Sequence, residues 1–425
     1  MSSRRSFLAA GAALAAFRGD AVARVARAEA LAGDAPPDRL AADEDYWGEI
    51  QRAFDTDRTI INLNNGGVCP TPSHVLEQMI RDLKFTNEAP VQHMWRVLQP
   101  RIESVRRELA REFGCDPEEL AITRNATEAM TTLIFGIDLK AGDEVVITDQ
   151  NYPHMQVAWE QRARRDGIVV RKVPVPAPLT APDSFVGQVR EAITPRTRVI
   201  ELPQVTNWCG QVLPIREVVR LGREKNIPVF VDGAHGFGQL PDKRDDLECD
   251  FYGTSLHKWL LAPIGTGFLH VRKEKIGSIW PMMSSSSKDD DVRKFEEIGT
   301  HPQANFNAIA VALAFHRAIG TPRKLARLRY LRDRWVKPLR AADPRIKIWT
   351  PVDDDALSGG IALVQIEGVD IGALFGHLYN KYHIVTSPTK HPTFEGVRVS
   401  ANVYTTPQEI DVFTEAMMGV LAKGI

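Results

Sequence analysis

Between residues 115 and 275 short apolar runs alternate with amphipathic stretches, and that alternation admits very few architectures. EVVIT (144–148), RVIELPQV (198–205) and IPVFVD (227–232) have strand lengths and are apolar along most of their length rather than at every second residue. DFYGTS (250–255) and GFLHV (267–271) are shorter candidates. Between these runs, residues 155–165 and 215–225 space their apolar side chains at helical intervals. Strand, helix, strand in repetition predicts an α/β fold, a mostly parallel doubly wound sheet with helices on both faces. The pattern places a large domain at 61–315 and a smaller C-terminal α/β domain at 316–425, with residues 31–60 as an N-terminal segment packing on the small domain. A helix is expected from Ser73, another from Glu128 and a long one over 307–319, with SSSSKDDD (284–291) a solvated loop.

Composition narrows the function classes. Of 425 residues, 53 are basic and 54 acidic, a net charge of -1 with no basic stripe, so nucleic acid is excluded as a partner. Cys69, Cys115, Cys209 and Cys249 show no metal-ligand or disulfide spacing, and no metal site is expected. No apolar run has membrane-spanning length, so no membrane insertion is expected of the mature chain. The first residues, MSSRRSFLAAGAALAAF, carry Arg4 and Arg5 ahead of a short apolar run, the pattern of a twin-arginine export signal over 1–30. Ala28-Glu29-Ala30 offers a cleavage site, after which the product would be periplasmic.

In parallel sheets ligands gather beyond the carboxyl ends of the strands. Asp232 ends one run, Asn207 and Tyr152 follow two others, and Lys258 follows DFYGTS. A carboxylate at the end of a buried strand is costly unless it meets a cation or strong donor. TRNATEAM (123–130) puts small and hydroxyl residues at a helix start, where free backbone N–H groups bind anions. An amine, an acid, an aromatic ring and an anion cradle at one sheet edge suit pyridoxal 5'-phosphate. Its aldehyde takes a lysine, its ring nitrogen an aspartate, its ring a flat partner and its phosphate a helix N-terminus.

On these motifs the chain resembles the class-V aminotransferase group of fold-type I pyridoxal phosphate-dependent enzymes, closest to the isopenicillin N epimerase-like branch. The resemblance spans about residues 45–420. In VDGAHGFGQL it implies that Asp232 pairs with the cofactor's ring nitrogen and His235 lies near its phenolic oxygen. In DFYGTSLHKWLLAPIGTGFL it implies Ser255 and His257 at the phosphate and Lys258 as the Schiff-base lysine. Ala126 and Thr127 would form the phosphate cup, Tyr152 would stack on the ring, and Asn207 would sit beside cofactor or substrate. Thr300, in EEIGT, would reach the phosphate of a partner subunit, implying a homodimer with shared sites. Arg398, in GVRVSANVY, would clamp a substrate carboxylate, with Asn65 and Gly66, in LNNGG, lining the same pocket.

The implied substrate is a small molecule bearing an amino group, attacked at its alpha carbon. Lys258 serves one face; Tyr152, His154 and His301 are candidates for the other. No cysteine follows Cys249, which argues against persulfide-forming desulfurase chemistry. True transamination, beta-elimination at a carbon–sulfur bond, and cofactor binding without turnover are the alternatives to epimerisation.

Overall fold

The structure, a computed structural model, describes residues 20–425, with side chains from residue 23. The twin-arginine pattern at Arg4 and Arg5 lies outside the described residues. In chain order the strands are β1 (Ile61–Asn62), β2 (Leu120–Thr123), β3 (Glu144–Thr148), β4 (Val169–Val173), β5 (Thr197–Pro203), β6 (Val229–Asp232), β7 (Phe251–Ser255), β8 (Gly267–Val271), β9 (Ile346–Ile348), β10 (Ile361–Ile366), β11 (Ile384–Val385), β12 (Ser387–Lys390) and β13 (Glu395–Ser400).

Seven of them form the large sheet in the order β2-β8-β7-β6-β5-β3-β4, in which β8 alone runs against the rest. Burial on both faces explains the apolar runs: β3, β6, β7 and β8 are buried at every position. Alternate residues face alternate layers. Val145, Ile147, Phe230 and Leu269 pack with Met130, Leu133 and Trp159 from helices Ala126–Gly136 and Pro153–Asp166. Val146, Ile200, Val231 and Phe268 pack on the other side with Leu109, Phe113, Val218 and Ile309. Helix Ala126–Gly136 begins two residues before the expected Glu128, because Asn125 caps it by accepting the Glu128 N–H at 2.8 Å. The long helix likewise begins at Ala304 rather than 307.

The smaller unit is an antiparallel sheet, β12-β13-β10-β9, covered by helices Thr321–Ala342, Ile371–Tyr382 and Pro407–Lys423. β1 joins it at a distance in sequence by pairing in parallel with β11. Upstream, helices Asp20–Ala32 and Glu44–Gln51 pack through Val25, Ala28 and Trp47 onto Phe315, Ile319, Val403 and Tyr404. Ala28-Glu29-Ala30 lies on the first of these helices, with Ala28 buried and Glu29 paired with Arg323 at 2.8 Å. Among the described residues no helix is long and apolar enough to cross a membrane, and no cluster suited to a metal ion occurs.

The two units meet tightly at Gly210. Its φ of +78° is a left-handed conformation, and a Cβ there would sit 2.5 Å from the Ile361 Cβ on β10. Gly210→Ala should therefore destabilise the chain by about 2–4 kcal/mol, from backbone strain and overpacking together. A urea or thermal midpoint equal to wild type would remove this seat from the account of how the units dock.

Candidate active site

Parallel topology delivers side chains to one edge of the sheet, and the segments that follow β2, β3, β5, β6 and β7 converge there. β6 ends at Asp232, which is buried and accepts the Ala234 N–H at 3.0 Å. β7 ends at Ser255, whose Oγ accepts the Ala126 N–H at 2.9 Å. Lys258 follows in the next loop, its Nζ 3.4 Å from His235 Nε2. That loop continues through Leu261, which holds a φ of +65°, a strained conformation for a bulky residue. The small domain adds Arg398 from β13, directly opposite Ser387 on β12. Together they enclose a cavity of about 410 Å³, the size of a small-ligand site.

Arg398 is buried and has no carboxylate partner among the described residues. Its Nη1 donates to the Asn207 carbonyl at 2.6 Å and its Nη2 to Asn64 Oδ1 at 2.8 Å, while Nε has no partner. Burial lowers its pKa to about 10. Burial likewise lowers Lys258 to about 8, against the pull of Asp232 and with the push of Arg398. Asp232 is raised by burial, partly offset by the Ala234 N–H and by Lys258. His235 is held well below the usual imidazole range by burial, then by Lys258 and Arg398, and His257 falls to about 4 by burial and then Lys258. Both imidazoles are therefore neutral, and two cations share the pocket with one carboxylate.

The expected residues divide as follows. Ala126, Thr127, Tyr152, Asn207, Asp232, His235, Ser255, His257, Lys258 and Arg398 all line the cavity. Asn65 does not. Its side chain is fully buried, donating to the carbonyls of Asn62 and Ser400 and accepting from the Tyr404 hydroxyl. The neighbouring Asn64 takes the expected place at Arg398. Thr300 is exposed and lies outside the cavity of its own chain. Of the candidates for the second face, Tyr152 lines the cavity, His154 stacks on its ring at 5.2 Å, and His301 bonds to Gly299 and Gln303 away from it. Met155 and Ser387 also line the pocket without having been expected, and Gly66 lines it as expected. Gly66 had a signal, because an added Cβ would lie 3.4 Å from the His235 ring and 3.6 Å from Arg398, the close approach that a glycine-bearing loop announces.

A family model described as class-V aminotransferase matches residues 61–413. The chain belongs to this family. It is 30% identical over 389 residues to isopenicillin N epimerase of Streptomyces clavuligerus, covering 87% of this chain and 97% of that one. It is 30% identical over 234 residues to a protein of Oryza sativa subsp. japonica named as an L-cysteine desulfhydrase, covering 51% and 49%. Among solved structures, a variant of C-DES with glycine covalently linked to its PLP cofactor aligns with a TM-score of 0.76 at 23% identity, covering 86% of this chain and 98% of that one. This is a PLP-dependent class-V enzyme.

The side chains fit that cofactor. The amide of Thr127, in the first helical turn, has no intrahelical acceptor; with the Ser255 hydroxyl and the neutral His257, whose Nδ1 is buried without a partner, it forms a cradle for phosphate. Asp232 lacks the cation that a ring nitrogen would supply, and Lys258 is the amine within reach. Lys258's lowered pKa has two consequences. About half its amines are free at pH 8, against roughly 0.3% at an unperturbed value. Between pH 8 and 10.5 the unfolded chain binds more protons at this group, so its contribution makes the fold more stable as pH rises through that window. Capture of added pyridoxal phosphate by the cofactor-free chain, followed by borohydride reduction and peptide mapping, should label Lys258 with a rate midpoint near pH 8. A midpoint near 10.5, or labelling that survives Lys258→Ala, would sink this assignment.

Proposed function

We propose that the enzyme exchanges a proton at the alpha carbon of a small amino acid-type substrate, as an epimerase or racemase. The observation that carries this reading is Arg398: a buried guanidinium with an unsatisfied Nε and no carboxylate partner among the described residues, facing the same cavity as Lys258. A desolvated, unpaired cation of this kind selects a carboxylate ligand, held in a bidentate fork. The cofactor, when bound, supplies an electron sink for the negative charge left at the alpha carbon. Asp232 keeps the ring nitrogen protonated by its opposite charge. Lys258, with its amine lowered toward neutrality, takes the proton from one face, a role worth roughly 10²–10⁴ in rate. Tyr152 serves the other face. The similarity to isopenicillin N epimerase over nearly the whole chain supports this branch.

A second reading is beta-elimination of a sulfur-bearing substrate. It draws on the similarity to the rice desulfhydrase, which covers about half of each chain. Persulfide relay through a cysteine has no support: Cys69, Cys209 and Cys249 are buried, Cys115 is half-buried, and none lines the cavity. Incubating the loaded enzyme with single L- and D-amino acids in deuterium oxide separates the readings. Deuterium at the alpha carbon together with the opposite enantiomer is the expected result. Stoichiometric 2-oxo acid would mean transamination instead, and sulfide with ammonia would mean elimination.

We also propose a homodimer with shared sites. Glu296 accepts the Ile122 N–H at 2.5 Å and pairs with Arg106, anchoring the segment that presents Thr300 outward. Leu76, Ile80 and Leu83 expose one apolar face of helix Ser73–Glu88. Sedimentation should give a dimer that loses cofactor affinity in Thr300→Val; a fully active monomer would remove the shared site. Twin-arginine export, proposed from Arg4 and Arg5, should fail in a reporter fusion carrying both as lysine. Unaffected export would end that proposal.

A further inference from the structure

Trp259 directly follows the lysine on which the site is built, and its indole N–H points at His235. The Nε1 to Nδ1 distance is 3.3 Å, and the rings meet edge to face at 62°. The other nitrogen of the same imidazole, Nε2, lies 3.4 Å from Lys258 Nζ. An indole N–H can only donate. His235 Nδ1 must therefore accept, and so carries no proton. His235 is buried and neutral, for which burial is the main cause, with Lys258 and Arg398 adding to it. The one proton of a neutral ring goes where the other nitrogen's bond leaves room for it.

We propose that Trp259 is a positioning residue that locks His235 in its Nε2–H tautomer, so that an N–H rather than a lone pair faces the Lys258 amine and the cofactor. The inference deepens the reading above and rests on Lys258 and His235 sharing the cofactor site. Its consequence falls on Lys258. An ammonium has only donors, and two donors facing each other are unfavourable, whereas a free amine offers its lone pair to the Nε2–H. The tautomer thus favours the uncharged amine. It acts alongside Arg398, which also opposes the ammonium, and against Asp232 and Cys69, which favour it; His257 is the remaining titratable group beside the lysine.

Trp259 is held from several sides. Its ring is fully buried against Leu328 and Ile361. Its carbonyl accepts from Lys324 Nζ, a buried amine that burial lowers to about 7. Gly238, at a φ of +76°, lets a second loop lie against it, where a Cβ would fall 3.1 Å from the Trp259 carbonyl carbon. Lys324 and Leu328 lie on helix Thr321–Ala342 and Ile361 on β10, so seating of the small domain orients the indole that sets the proton on His235.

Long-range proton–nitrogen correlation spectra of the full chain, labelled with ¹⁵N-histidine and freed of cofactor, read the tautomer directly. His235 is assigned by the signal missing from His235→Gln. The expected wild-type pattern is a protonated Nε2 and a bare Nδ1. Trp259→Phe, which keeps the packing and deletes the donor, should lose that pattern in favour of a mixed or Nδ1–H form. Trp335→Phe, buried elsewhere in the small domain, should retain it. A wild-type His235 protonated at Nδ1 overturns the proposal, as does an unchanged tautomer in Trp259→Phe. If that variant does not fold, the wild-type spectrum alone decides. Cofactor capture on the same samples separates the two claims: an Nε2–H His235 in a chain that takes up no pyridoxal phosphate supports the tautomer and defeats the proposed function.

Discussion

A buried guanidinium, a half-buried amine and a buried carboxylate, gathered at the carboxyl edge of the large sheet, are what the rest of the architecture serves. Removing such charges from water costs several kcal/mol each unless partners are supplied. The protein supplies few. Arg398 is met by a carbonyl and an amide oxygen, and Asp232 by one backbone N–H. The imbalance shows in the displaced pKa values, with Lys258 at about 8 and Arg398 at about 10. Such an arrangement is tolerable when a ligand brings the missing charges: phosphate and carboxylate for the cationic side, a protonated ring nitrogen for Asp232. The pocket is in that sense incomplete as protein alone, and its incompleteness describes its ligand.

Holding that imbalance requires both domains at once. Asp232, Ser255 and Lys258 are delivered by parallel strands of the large sheet, while Arg398 arrives from the antiparallel sheet of the small one. The loop at Gly66 ties them, because its N–H donates to Ser400 Oγ at 2.8 Å, two residues beyond Arg398. β1 fixes where that loop starts by pairing with β11. A displaced small domain would carry Arg398 out of the cavity and lose the grip on Trp259 together.

Much of this was legible because parallel topology converts sequence position into spatial position. EVVIT and GFLHV are strands at the expected bounds, and a residue just beyond a central parallel strand has little choice but to face the ligand edge. That logic located Asp232, Asn207, Tyr152 and Lys258. It fails in loops whose path depends on distant partners. Asn64 and Asn65 are adjacent, and which one faces Arg398 is settled by a turn closed by the Gly67 N–H on the Asn64 carbonyl and by bonds to Ser400, more than three hundred residues away. Ser387 was invisible for the same reason: it lines the pocket because β12 pairs it with Arg398. Trp259 lies in the apolar run WLLAP (259–263), and only the fold shows its one polar atom directed at His235.

The residues that hold a cofactor say less about the reaction than those at the mouth of the pocket. Lys258 is half-buried and lines the cavity beside His235. Tyr152 stands differently. It is 36% exposed, held at the start of helix Pro153–Asp166 and backed by the His154 ring at 5.2 Å with the two planes 15° apart. A phenol in that position can be resupplied from solvent between turnovers. Inversion at a carbon uses a base on one face and an acid on the other, because the proton removed and the proton delivered approach from opposite sides. Transamination and elimination need the first and not the second. Tyr152, rather than the lysine, is therefore the residue on which the proposed epimerase reading turns.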